Sequence, residues 1–355
     1  MADRPYRTAL VLSGGNALGS WQAGAFAALA ERGATIDWVI GASAGSINAA
    51  MIAGNPPGRA VERLQAFWTP AAGGGVSRWP AEIDTWRRTA AVSTAMAIGR
   101  PNLFAPRPFF GEFWAGGGDG AASIFDTGPL AATLDRSVDW DRIASGPMRL
   151  SIAAVDLESG ADALFDSTRD RLGPDHVRAS SALLPAFPPI AIRGRRYVDA
   201  GLSANLPVDA VLADPGPGPL LVIALDLLPL SSPVPRSIGE AAGRMQDLVF
   251  AAQSRRSIDA WSEVYRLHGD RAPTVTLARL AFADQSREVA GKAFDFSAET
   301  AGGRWAAGAA CMASFLDRLD GSAVAIGGPG LTVYQNADEA PIGRAGFRLS
   351  AERDG

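Results

Sequence analysis

The chain has 355 residues, 47% of them hydrophobic and 20% charged, with 40 glycines, 24 prolines and a net charge of −4. These proportions exclude disordered, fibrous and collagen-like classes and leave a folded chain long enough for one large core or two modest ones. One cysteine, Cys311, and two histidines, His176 and His268, cannot build a disulfide framework or a zinc site at Cys/His spacing, so no metal or other cofactor is expected. With Lys292 the only lysine and the arginines scattered, no basic stripe marks a nucleic-acid partner. The lone cysteine suits a reducing compartment. The chain runs from Arg7 straight into an apolar strand without a signal-peptide core, and its longest apolar run, 219–230, is too short to span a bilayer and contains Asp226. A cytoplasmic protein without signal peptide or transmembrane segment is expected.

In chain order, residues 8–12 form a short apolar run ending at Ser13-Gly14-Gly15, which reads as a buried strand entering a glycine turn. Trp21, Ala25, Ala28 and Leu29 recur at helical spacing up to a stop at Gly33. A second strand, 36–40, runs into Gly41-Ala42-Ser43-Ala44-Gly45, and a small-residue helix follows until Gly54 and Pro56-Pro57. Strand, helix, strand, helix predicts an α/β fold: a central, mostly parallel sheet flanked by helices, with a site at the carboxyl ends of the strands.

The pattern loosens between 67 and 126, where glycine triplets at 73–75 and 116–118 alternate with aromatics including Phe67, Trp68, Trp79, Trp86, Phe104, Phe109, Phe110, Phe113 and Trp114. This segment reads either as core filler beneath long loops or as a cap that forms an acyl groove or touches a lipid surface. Strands return at 150–155 and 163–165, a helix at 175–184, and strands at 196–198 and 220–227. Helices over 238–267 and 300–319 close the ordered part. Residues 1–212 are expected to form a catalytic core carrying the 67–126 insert. Residues 213–333 are expected to complete or pack on the same domain, and 334–355 to form a loose tail.

Gly41-x-Ser43-x-Gly45 is short enough to occur by chance in a glycine-rich chain, but its context is specific. A serine on a sharp strand-to-helix turn has an exposed hydroxyl, flanking glycines that admit close backbone approach, and a helix N-terminus that favours developing negative charge. Its base is the next question. His268 ends a predicted helix, where histidine is a common terminal residue, and the serine follows only two strands, against a Ser–acid–His order. Asp199, at the carboxyl end of the strand 196–198 and before Gly201, would lie on the same sheet edge as Ser43 if that strand is parallel. Asp156 and Asp226 at strand ends read as turn or cap residues, and Asp209 as an N-terminal capping charge.

Three blocks in this order resemble the patatin-like phospholipases: Leu12-Ser13-Gly14-Gly15-Asn16-Ala17-Leu18-Gly19; Trp38 to Ala49 around Gly41-Ala42-Ser43-Ala44-Gly45; and Ala179 to Pro185 with Phe187-Pro188-Pro189 and Tyr197-Val198-Asp199-Ala200-Gly201 through Asn205 and Pro207. The resemblance implies a three-layer α/β/α fold and a lipid acyl hydrolase with Ser43 as nucleophile and Asp199 as its partner in a dyad. It also implies an oxyanion hole from the backbone N–H groups of Gly14, Gly15 and Asn16. Phe294-Asp295-Phe296-Ser297 through Trp305 to Gly308 is similar to an extension in a bacterial branch of the family. Leu18 stands where that family often carries a basic residue, and Ala200 where it often has glycine. The expected substrate is a lipid or other acyl ester, with peripheral lipid-surface contact as one reading. An esterase acting on a non-membrane acyl polymer or thioester, and a catalytically weak lipid-binding protein, stay open as alternatives.

Overall fold

A computed structural model describes residues 5–69, 80–107 and 123–336. The glycine triplets, Trp79, Phe109, Phe110, Phe113, Trp114 and positions 337–355 of the expected tail lie outside the described residues. The first half contains β1 (Arg7–Leu12), α1 (Gly19–Glu31), β2 (Trp38–Gly41), α2 (Ala44–Ala53), α3 (Pro57–Trp68), α4 (Ala81–Ile98), β3 (Ala105–Pro106), β4 (Phe125–Asp126), α5 (Gly128–Ser137) and α6 (Trp140–Ser145). The second contains β5 (Arg149–Asp156), β6 (Asp162–Asp166), α7 (Pro174–Ser180), β7 (Ile190–Ile192), β8 (Arg195–Asp199), α8 (Asp209–Leu212), β9 (Leu220–Asp226), α9 (Ile238–His268), β10 (Val275–Ala281), α10 (Ala298–Asp320) and β11 (Leu331–Gln335).

The main sheet runs β11-β10-β9-β1-β2-β5-β8-β7, with β6 paired to β5 beside that path. The strands from β11 to β5 are mutually parallel, and β6, β7 and β8 join antiparallel. Alternate residues of each central strand enter different cores. Leu10, Leu12, Ile223 and Leu225 meet α1, α2 and α10 on one face, while Ala9, Val11, Val222 and Ala224 meet α8 and the C-terminal half of α9 on the other. The result is three layers, α/β/α. β9, β10 and β11 all come from beyond residue 212 yet complete this sheet, and β11 occupies the start of the expected tail because Leu331 to Gln335 pair with Val275 to Arg279.

Every residue of α2 is buried, which is why its sequence shows no polar stripe. The helices α1 and α10 approach through glycine: a Cβ at Gly24 would meet the Trp305 carbonyl oxygen at 2.0 Å, and one at Gly308 the Trp21 carbonyl oxygen at 1.9 Å. Asp209 does not cap a helix. It is the first residue of α8, and its Oδ1 accepts from Ser257 Oγ at 2.7 Å and Trp261 Nε1 at 2.8 Å, tying α8 to α9.

One register decides the site. β2 pairs Arg149 to Ile152 on one edge of β5, and β6 pairs Ser151 to Val155 on the opposite edge. β8 pairs Ala154 to Asp156, overlapping β6, so it must lie on the β2 edge, continuing past the end of β2 in the opposite direction. The carboxyl ends of β2 and β8 therefore converge.

Candidate active site

Ser43 sits at that convergence, with φ 52° and ψ −124°, a conformation rare for a residue with a side chain. The surrounding backbone leaves no alternative route. A Cβ at Gly41 would meet the Gly45 carbonyl oxygen at 2.4 Å, and one at Gly45 the Leu12 carbonyl oxygen at 2.2 Å, so both flanking positions require glycine. The Ser43 N–H donates to Ser180 Oγ at 3.0 Å, and its carbonyl accepts from Ser46 Oγ at 2.6 Å and Ser181 Oγ at 3.1 Å. Three serines thus hold the strained turn.

Asp199, the last residue of β8, accepts a 2.7 Å hydrogen bond from Ser43 Oγ through Oδ2, while its Oδ1 accepts the Gly201 N–H at 2.7 Å. It arrives by an antiparallel strand, which corrects the expectation of a parallel one; the meeting results from end-to-end placement of β2 and β8. Burial to 2% exposure pushes the carboxyl up from 3.8 to about 6, against the opposing pull of the Ser43 and Gly201 hydrogen bonds. Ala200, in place of glycine, is itself buried.

The turn between β1 and α1 lies opposite. Gly14 N–H donates to the Asn205 carbonyl at 3.0 Å, which removes it from the expected set of free donors. Gly14 is needed for closeness instead, since a Cβ there would lie 2.5 Å from Asn205 Oδ1 and 2.9 Å from Ser43 Cβ. The N–H groups of Gly15 and Asn16 hydrogen-bond to no other described backbone group, and both residues, with Ser43 and Asp199, line a cavity of about 410 Å³. The rest of its wall is mostly apolar, including Ile47, Leu103, Phe104, Leu183, Phe187 and Phe294. Met245 and Val249 on α9 line it too and are more than half exposed.

The other candidates are held elsewhere. His176 packs edge-on against Phe165, and its burial pushes the imidazole below its usual range. His268 is exposed at the end of α9, its Nδ1 2.7 Å from the Val264 carbonyl. Asp156 accepts the N–H groups of Glu158 and Ser159 and an Arg195 bond, which hold it down at about 2 with the Ser159 N–H foremost. Asp226 pairs with Arg279 in full burial. Among the described residues no group of His, Cys, Asp or Glu could hold a metal. The sequence reading gave no role to Ser180, Ser181, Asn205 or Gln253. Gln253 reaches from α9, its Oε1 taking the Asn205 N–H and its Nε2 donating to the Gly201 carbonyl, both at 3.1 Å. Nothing in its helical neighbours signals that contact.

The family model described as patatin-like phospholipase matches residues 10–212, more than half of the chain, including Ser43, Asp199 and the turn at Gly14 to Asn16. Among solved structures, the chain is similar to VipD from Legionella pneumophila at 14% identity and a TM-score of 0.43, covering 88% of this chain and 67% of that one. It is also similar to the ExoU–SpcU complex from the type III secretion system of Pseudomonas aeruginosa, at 21% identity and a TM-score of 0.29, covering 71% of this chain and 50% of that one. A comparison with curated proteins finds no match.

Proposed function

The chain belongs to the patatin-like phospholipase family, and from that premise we propose that it is a lipid acyl hydrolase working through a Ser43–Asp199 dyad. The observation that carries the reading is the 2.7 Å hydrogen bond from Ser43 Oγ to Asp199 Oδ2 on the wall of an apolar cavity. Ionised Asp199 takes the hydroxyl proton as Ser43 Oγ bonds to the ester carbonyl carbon. The carbonyl oxygen becomes an oxyanion facing the Gly15 and Asn16 N–H groups at the start of the 3-10 turn Asn16–Leu18 that leads into α1, where backbone donors cost no reorganisation. The tetrahedral intermediate then collapses, the alcohol leaves with the proton held by Asp199, and water repeats the cycle on the acyl-enzyme.

The Gly201 N–H leaves Oδ2 aimed at Ser43, so one carboxylate serves as both orienter and base. The cavity accommodates the acyl chain, and the exposed apolar residues Val234, Ile238, Met245 and Val249 at the start of α9 and in the loop before it would meet the lipid aggregate that presents it. Among the described residues no helix is long and apolar enough to cross a membrane, so this contact would be peripheral. Labelling with a fluorophosphonate followed by intact and peptide mass analysis tests the dyad. One adduct at Ser43, absent from Ser43→Ala, is expected; no adduct on folded protein would return the chain to a lipid-binding role.

A further inference from the structure

The turn proposed above to hold the oxyanion is pinned at both ends. Gly14 N–H fixes its start on the Asn205 carbonyl. At its end the short 3-10 helix Asn16–Leu18 presents the Ala17 carbonyl, which accepts Arg304 Nη1 at 3.1 Å and Ser20 Oγ at 3.2 Å. Between the pins lie the Gly15 and Asn16 N–H groups, which meet no other described backbone group, and Asn16 turns the chain at φ 51°, a left-handed conformation that asparagine adopts more readily than most residues with a side chain. The turn has no cation of its own, because position 18 is a buried leucine.

Arg304 comes from α10, nearly three hundred residues later, and is 2% exposed. Its five N–H donors are all engaged. Nε and Nη2 clasp Glu288 at 3.0 and 2.6 Å, Nη1 also reaches the Asp295 carbonyl at 2.9 Å, and Nη2 the Lys292 carbonyl at 3.1 Å. Glu288 in turn pairs with Arg88 of α4, which also binds Asp295 at 2.8 Å. Glu288 and Asp295 together balance Arg304 and Arg88, so the guanidinium of Arg304 acts by geometry rather than as a field on the oxyanion. Two of the three carbonyls it grips bracket Ala293 and Phe294, which line the cavity, and the third ends the oxyanion turn.

We propose that Arg304 is a positioning residue for catalysis, using its planar fork to fix the oxyanion turn against the 292–295 segment so that the Gly15 and Asn16 N–H groups face the substrate carbonyl. Lysine cannot replace it, since a single ammonium has no fork to reach three carbonyls and a carboxylate together. The inference rests on the dyad reading, and the test separates the two.

Hydrolysis of a soluble p-nitrophenyl butyrate is measured for wild type, Ser43→Ala, Arg304→Lys and the double variant Arg304→Met/Glu288→Gln, which strands no buried charge. Thermal unfolding confirms that each is folded at the assay temperature. Oxyanion donors are worth about 10²–10³ in kcat when lost outright, so a loosened turn should lower kcat at least tenfold. KM should stay within threefold and the pH midpoint of activity should not move. Fluorophosphonate acylation of Ser43 should slow in parallel. A folded variant that loses less than tenfold in kcat, or whose loss lies in KM, overturns the inference, as does failure of both variants to fold, which would make Arg304 a residue of the fold alone. Absence of Ser43-dependent hydrolysis in wild type overturns the dyad reading and this inference with it; an active wild type with equally active variants overturns only this one.

Discussion

An aspartate with an ordinary value of 3.8 holds its proton too weakly to relieve a serine hydroxyl of one, and burial changes that for Asp199 by pushing it up to about 6. In the proposed dyad the base is then ionised above about pH 6 and lost below it. Activity on a soluble ester should therefore plateau at alkaline pH and fall with a midpoint near 6; a profile flat down to pH 4 contradicts the assignment. The same shift affects stability. Because the folded value lies above the unfolded one, the contribution of Asp199 is most favourable below pH 4 and is lost as pH rises through 6. At pH 8 its ionised form costs the fold about 3 kcal/mol. Replacing it with Asn, which does not titrate and can still donate to Ser43 and accept from Gly201, should abolish hydrolysis. It should also make the protein more stable relative to wild type by about 2.5 kcal/mol more at pH 8 than at pH 4. Denaturant unfolding at the two pH values checks this, and a pH-independent difference would refute it.

At the scale of elements, the elbow shows why part of the site was readable in the sequence. Gly41 and Gly45 are there because Ser46, Leu12 and the Gly45 carbonyl occupy the space of any Cβ, and that local demand leaves a local pattern. Gly45→Ala should destabilise the protein by about 1–3 kcal/mol and cost activity beyond that loss; chemical denaturation and ester turnover measure both. The partner aspartate is legible as a strand-end carboxylate, although the strand that carries it is antiparallel rather than parallel. The roles of the serine pair Ser180–Ser181, Asn205 and Gln253 are not legible in the sequence, since each acts through contacts more than 40 residues apart in the chain. Gly14 was read as a donor, but its N–H is committed to Asn205, a long-range bond that no local pattern announces. The start of α9 and the loop before it carry their own prediction: Val234→Ser/Ile238→Ser, both exposed and outside the cavity wall, should reduce co-sedimentation with lipid vesicles several-fold while leaving soluble-ester turnover within twofold, and unchanged binding would place the lipid contact elsewhere.

Over the whole molecule, the alternation of strand and helix in the first fifty residues announced the parallel sheet, whereas its growth through β9, β10 and β11 depended on pairings that periodicity alone does not reveal. β10 contains Arg279 within an apolar run, a charge that argues against a buried strand until Asp226 on the neighbouring β9 is seen to meet it, both side chains fully buried. Arg279→Met alone should cost about 3–5 kcal/mol by stranding that carboxylate, and adding Asp226→Leu should recover much of it; chemical denaturation of the two variants decides. The chain beyond residue 212 thus closes the sheet and, through α10, reaches back to the turn beside Ser43. We propose that this architecture places a serine and a buried aspartate for acyl transfer from lipid. Its most direct test is mass spectrometry of a mixed lipid extract incubated with wild type and with Ser43→Ala. Free fatty acids and matching deacylated lipids are expected from wild type alone; identical product profiles from the two proteins would contradict the Ser43–Asp199 assignment.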